Sequence, residues 1–353
     1  MTDTWKKGGA FEDEAAASSQ FLVLPKPDDF HVHFRQGEAM AFYARRHAHS
    51  FGRAMVMPNT VPPITDAASL IRYRDGIIGS IPPEAGLVPL MTFMLLPGLD
   101  GRTVAACAAA GAIAGKYYPG GATTNSSDGP SRPEDVAEAL DAMQNLDMVL
   151  SIHGEDPGYP SLEREAAFLP TVEKILARWP KLRIVLEHLS TKEAAGFVRS
   201  GPDRLCATLT AHHLLFTIDD MLGRGLNPHL FCRPILKTAA DRKALVEAAL
   251  SGSPKFFFGS DSAPHPRSAK ERATAPGGVY SSPTAIPALA GLFESEGNLS
   301  ALEAFVAKSG ARYYRLSPPK GELRLKREAW IVPGEIDGVV PMCAGSRLEW
   351  KII

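Results

Sequence analysis

Eight short runs of β-branched or apolar residues, separated by longer amphipathic stretches often rich in alanine, restrict the folds open to this chain more than any other feature. The runs are FLVLPKPDDFHVHF (21–34), RAMVMP (53–58), LVPLMTFMLL (87–96), AIAGKYY (112–118), MVLSIHGE (148–155), RIVLEHL (183–189), LCATLTAHHL (205–214) and KFFFGSDSA (255–263). Helical candidates lie between them, among them 39–50, 131–146, 161–179 and 241–250. Strands alternating with helices imply a parallel sheet. Eight such units in about 270 residues match an α/β fold of the (β/α)8 TIM-barrel kind, whereas a doubly wound sheet more often shows five to seven. No GxGxxG follows the first run, which removes the main support for dinucleotide binding. The character changes near residue 310, with prolines and short strand-like runs. The expected division is a flexible leader (1–20), a catalytic barrel (21–310) and a small C-terminal appendage packed on it (311–353).

Charge narrows the partner. The 38 basic and 39 acidic residues nearly cancel, and no run of five lysines or arginines occurs, so neither nucleic acid nor a polybasic membrane anchor is indicated. No window approaches about 18 consecutive apolar residues, and the leader lacks the apolar core of a signal peptide. Cys107, Cys206, Cys232 and Cys343 are far apart with no CxxC pair, and read as reduced thiols of a cytoplasmic protein. A small-molecule substrate is the expected partner.

In a barrel the C-terminal strand ends converge on one mouth, and that face carries the chemistry. The polar residues at or just after those ends are His31, His33 and Arg35, then Asn59, Lys116, His153, His188, Asp261 and His265. His31, His33 and Arg35 are spaced by two, so a persisting strand would turn them to one face. Neutral imidazoles with a carboxylate suit a borderline divalent cation such as zinc. A single histidine at such a place is more often a satisfied polar residue than a ligand. Four of them with an aspartate, each at a strand end, are hard to explain by unrelated structural roles. Lys116 stands apart: its amine, if burial lowers its pKa, can react with carbon dioxide to give a carbamate bridging two cations. An ordinary ion-paired or substrate-binding lysine is the other reading. His212 and His213 are surplus to this set, one expected to be packed and the other at the barrel rim. His47 and His49, two apart on a helix, should not share a face.

Seven segments, HVHFR, VMPNT, GKYYPGGATTNS, SIHGE, EHLS, NPHLFCRPILK and GSDSAPH, in this order and over about residues 21–330, resemble the dihydroorotases of the amidohydrolase superfamily, in their shorter bacterial-type class. The resemblance implies two Zn2+ per subunit, bridged by carboxylated Lys116. It gives His31, His33 and Asp261 to the more buried metal, and His153 and His188 to the more exposed one. It implies substrate binding by Arg35, Asn59 and His265, and a lid carrying Thr123 and Thr124. Arg233 and Gly277 stand where a member of the family has leucine and alanine, both used through backbone atoms, so substrate binding should survive the difference. The implied reaction is the reversible cyclisation of N-carbamoyl-L-aspartate to L-dihydroorotate in pyrimidine biosynthesis. In it, hydroxide activated by the metals attacks and Asp261 serves as base and then acid. A homodimer is implied by the family alone. The nearest alternatives are another cyclic-amide hydrolase, such as a hydantoinase or allantoinase, and a non-catalytic relative, although no ligand position is lost here.

Overall fold

The computed structural model describes residues 20–336 and 338–353. All but the last residue of the expected leader lies outside the described residues. The first sequence run divides in two. Its opening half forms β1 (Phe21–Pro25) and its second half β2 (Asp28–Val32), with Lys26 between prolines 25 and 27. A proline has no N–H to give to a ladder, so the pair ends one sheet before the next begins.

From β2 the chain builds eight parallel strands in sequence order. The others are β3 (Arg53–Val56), β4 (Val88–Met94), β5 (Ala112–Tyr117), β6 (Val149–Ile152), β7 (Arg183–Leu186), β8 (Leu205–Leu209) and β9 (Phe256–Phe258). Each coincides with one of the eight runs, and together they form a nearly closed barrel. The rest of the strand structure is a separate antiparallel sheet in which β10 (Glu322–Ile331) lies between β1 and β11 (Arg347–Ile352).

Side-chain alternation sorts the barrel interior into layers. A buried apolar cluster takes residues from every barrel strand: Phe30, Met55, Leu90, Ala114, Val149, Val185, Cys206 and Phe257. Tyr314, stacked on Phe30 with ring centroids 4.9 Å apart, joins that floor from the C-terminal part of the chain. Two residues further along, five strands turn polar inward, at Thr92, Lys116, Ser151, Glu187 and Thr208, while β3 keeps Met57 and β9 is followed by Gly259. That step of two is the strand period. Outside the strands the helices bury a larger apolar layer, with Ala54, Val56, Ile184, Leu186, Leu140 and Val172 among its members.

The seam between β2 and β9 is held by a few groups. The register of β2 shifts between Asp29 and Val32, so Phe30 reaches the floor while His31 lies against Gly259 in the next layer. Backbone bonds run from Asp261 N to the His31 carbonyl (2.8 Å) and from His33 N to the Ser262 carbonyl (3.0 Å). The Asp29 carboxylate accepts from the backbone N–H groups of His31 (3.0 Å) and Ser260 (2.7 Å). Where the ladder is short, one buried carboxylate therefore fixes both edges of the barrel closest to the mouth.

Candidate active site

Strand β2 ends at Val32, and the chain then turns through Arg35, whose φ is +65°. Simple alternation therefore does not carry Arg35 inward; a left-handed residue does. His188 and Asp261 also have positive φ, both +41°. Such backbone costs of order 1–3 kcal/mol per residue and persists only where the surroundings enforce it, commonly at functional sites.

Two halves of a donor set face each other. In the first, ligand atoms of His31, His33 and Asp261 all lie within 4.8 Å of one another. Asp261 Oδ1 is 3.1 Å from His33 Nε2 and 3.4 Å from His31 Nε2. In the second, His153 Nδ1 is 3.2 Å from His188 Nε2. The rings of His31 and His188 join the halves, with centroids 5.0 Å apart. Lys116 is fully buried between the floor and the mouth, and its Nζ has no hydrogen-bond partner among the described residues, nor does His188 Nδ1.

Electrostatics set the protonation states. Burial, helped by neighbouring cationic groups, pushes the His31 and His188 pKa values well below the usual imidazole range, leaving lone pairs available. Burial works to raise the Asp261 pKa, but the His33 hydrogen bond and the surrounding imidazoles outweigh it and hold the carboxyl below its usual range. Burial brings Lys116 down to about 8, against an upward pull from Glu187 and Asp261. About a tenth of that amine is then neutral at pH 7, far more than for a free lysine. Neutral imidazoles, an ionised carboxylate, and buried donors lacking partners together fit divalent cations of zinc's class.

The mouth is a narrow cavity whose lining includes His31, His33, Arg35, Asn59, Thr123, Thr124, His153, His188, Arg233, Asp261 and Gly277. His265 stands behind Arg35. Arg35 donates through Nε to the Pro264 carbonyl (3.0 Å) and through Nη2 to His265 Nε2 (2.9 Å). The guanidinium can only donate to His265 Nε2, whereas the Gly277 carbonyl, 3.2 Å from the same nitrogen, can only accept, so the two contacts favour opposite tautomers. Burial first and Arg35 second lower the His265 pKa to about 3, so this imidazole is neutral. The Asn59 side chain donates to the Thr124 carbonyl (3.0 Å), and Asn125 returns a bond to the Asn59 carbonyl (3.0 Å). Arg233, expected to act through its backbone, also uses its side chain: Nη1 donates to the Ala122 carbonyl at 3.2 Å.

Sequence reading missed the acids beneath the ligands. Glu187 Oε2 accepts from His31 Nδ1 (3.0 Å) and Thr208 Oγ1 (2.6 Å), and its Oε1 accepts from Ser151 Oγ (2.5 Å). Glu187 thus turns Nε2 of His31 toward the mouth, the tautomer control expected of a carboxylate behind a metal-binding histidine. Glu155 Oε2 lies 2.9 Å from His153 Nε2. The signal was present: Glu187 sits one strand period beyond Val185, in EHLS, and Glu155 ends SIHGE. His212 and His213 are both buried. Helix termini place them, Thr210 capping the short helix Ala211–Leu215 that carries both. His47 is buried and His49 exposed, on opposite sides as their spacing implied.

No family model matches the chain. A dihydroorotase of Teredinibacter turnerae is 44% identical over 338 residues, covering 94% of this chain and 98% of the relative. The structure of a Saccharomyces cerevisiae dihydroorotase in complex with 5-fluoroorotic acid superposes with a TM-score of 0.88 at 34% identity, covering 95% of this chain and 98% of that one. An L-hydantoinase from Arthrobacter aurescens, with a TM-score of 0.79 but 16% identity over 94% of this chain and 83% of its own, shares the fold.

Proposed function

The chain belongs to the dihydroorotase family, and from that premise we propose how its mouth interconverts N-carbamoyl-L-aspartate and L-dihydroorotate. One observation carries the reading: His31, His33, Lys116, His153, His188 and Asp261, from five different strand ends, converge beside the Arg35 guanidinium. His31, His33 and Asp261 would hold one Zn2+ and His153 with His188 the other, bridged by carboxylated Lys116. Two such cations supply a Lewis acid for the scissile carbonyl and acidify a water at neutral pH.

The chain's own groups do the rest. Arg35 keeps Nε and one Nη2 proton on Pro264 and His265, which leaves its Nη1 edge to pair with the substrate carboxylate. His265 holds that guanidinium without adding charge. Asn59, the Thr123–Thr124 segment, Arg233 and Gly277 border the same space. Asp261, ionised and hydrogen-bonded to His33, takes the proton of the attacking water and returns it to the ring nitrogen as the C–N bond breaks; the cyclisation runs the same transfers backward. The Lys116 amine attacks carbon dioxide through its neutral form and releases a proton, giving an anionic carbamate where a cation was costly to bury.

The division into a barrel of residues 21–310 and an appendage of residues 311–353 belongs to the same reading, with two exchanges at its bounds: β1 (Phe21–Pro25) pairs with β10 in the separate sheet, and Tyr314 packs in the barrel floor. A homodimer rests on the family alone, and a cytoplasmic location on the free cysteines. The deciding experiment is hydrolysis of dihydroorotate, followed by loss of ultraviolet absorbance, on protein whose bound metal is counted in parallel. Turnover at close to two metals per chain is expected, with Asp261→Asn lowering it by about 10²–10⁴-fold. Full metal occupancy without turnover would discard dihydroorotate as the substrate, and hydantoins would be tried next.

A further inference from the structure

The histidines and cysteine left over from the mouth form a cluster of their own. His212, His213 and Cys232 are buried, and each offers a ligand atom within 4.8 Å of the other two. The Pro234 carbonyl oxygen is 3.0 Å from His213 Nε2 and 3.1 Å from Cys232 Sγ, which are themselves 4.0 Å apart. Donors separated in this way can surround a four-coordinate cation with bonds of about 2.0–2.3 Å. His212 adds an independent observation. Its ring is fully buried, yet neither Nδ1 nor Nε2 has a hydrogen-bond partner among the described residues. Buried polar atoms ordinarily find partners, and an imidazole lacking both is available as a ligand.

We propose that His212, His213 and Cys232 form a further cation site, distinct from the mouth's ligand set, which takes a borderline metal such as zinc through two imidazoles and a thiolate, with the Pro234 carbonyl as a fourth donor. The protons balance locally. The Cys232 S–H bond breaks as the sulfur–metal bond forms, and that proton leaves to solvent. His213 shifts its proton from Nε2 to Nδ1, where Thr210 Oγ1, at 2.8 Å, accepts it. Burial first, with Asp261 and Glu155, pushes the Cys232 thiol up to about 12 against the downward pull of Lys237 and Lys270, so the thiolate forms there only when a bound cation pairs with it. A cation there therefore needs the thiolate's charge, which selects zinc, cobalt or cadmium and rejects magnesium. The site also adjoins the mouth. Arg233 follows Cys232, and a Cβ on Gly277 would lie 3.7 Å from the Cys232 carbonyl carbon. Occupancy should pull on the segment that carries Arg233 and slow turnover, a consequence that rests on the function proposed above.

The test is a titration of Co2+ into the metal-loaded enzyme, reading the thiolate-to-cobalt charge-transfer band in the near ultraviolet. The mouth's ligand set contains no thiol, so the band reports the cluster whether or not dihydroorotate is the substrate. The site predicts a band saturating at one further cobalt per chain, lost in Cys232→Ser and requiring at least tenfold more cobalt in His212→Gln. Absence of a band in the unaltered protein would overturn the site, as would a band that survives Cys232→Ser. If Cys232→Ser does not fold, a His212→Gln titration identical to that of the unaltered protein has the same force. Dihydroorotate turnover that stays constant while the band rises would overturn the inhibitory consequence.

Discussion

At the scale of single residues, what matters is which proton or donor a group can give. Arg35 holds two neighbours and one substrate edge through a planar fork, and lysine has the charge without the geometry. Arg35→Lys should therefore raise KM for dihydroorotate about tenfold or more while changing kcat less, because the lost interaction is made equally in the ground and transition states. Equal kinetics for the two proteins would remove Arg35 from substrate binding. Lys116 gives a second expectation. Its amine is buried and has no hydrogen-bond partner among the described residues, so carbamate formation should limit assembly of the metal centre. Apoprotein reloaded with zinc in buffer stripped of carbon dioxide should regain activity slowly, and added bicarbonate should accelerate it; recovery indifferent to bicarbonate would exclude the bridge. The mouth's ligand residues were legible from the sequence as polar interruptions at the ends of apolar runs. Glu187 and Asp29 were not singled out, because an acid in a strand looks the same whether it faces solvent or holds a histidine.

At the scale of elements, the decisive piece is the loop between β5 and the helix Ala137–Asn145. Gly129 passes so close to the Tyr118 carbonyl that an added Cβ would sit 2.1 Å from it, and only glycine closes that neck. Beyond the neck, Thr123 and Thr124 are presented to the cavity by bonds from Asn59 and Arg233 to the loop carbonyls. Removing one hydroxyl should cost a hydrogen bond of about 0.5–1.5 kcal/mol in the closed complex. Thr124→Ala is thus expected to lower kcat/KM about two- to tenfold, and unchanged constants would show the loop to be a surface turn. GGATTNS suggested a loop over the site, but nothing in it told that Asn59, 65 residues earlier, would fasten it.

Across the whole molecule, the barrel and the C-terminal chain share their buried charges. Asp28 is fully buried and receives two bonds from Arg53, Nε to Oδ1 at 2.7 Å and Nη2 to Oδ2 at 2.5 Å, while Arg53 Nη1 reaches the Ser317 carbonyl at 2.7 Å. Removing one member of such a pair strands the other, at a cost of about 3–5 kcal/mol. Arg53→Met should lower stability in urea denaturation by about that amount, and a loss below about 1 kcal/mol would show that Asp28 finds another partner or protonates at little cost. The sequence by itself determined the eight βα units, since short apolar runs of strand length alternate with longer amphipathic stretches. It also placed the histidines, the lysine and the aspartate at the strand ends. Only the tertiary structure decided that FLVLP leaves the barrel for the sheet of β10 and β11, that Asp29 ties His31 to Ser260 across the seam, and that His212, His213 and Cys232 meet. Those pairings join residues far apart in the chain, and the closing of the barrel, which no local periodicity encodes, brings them within bonding distance.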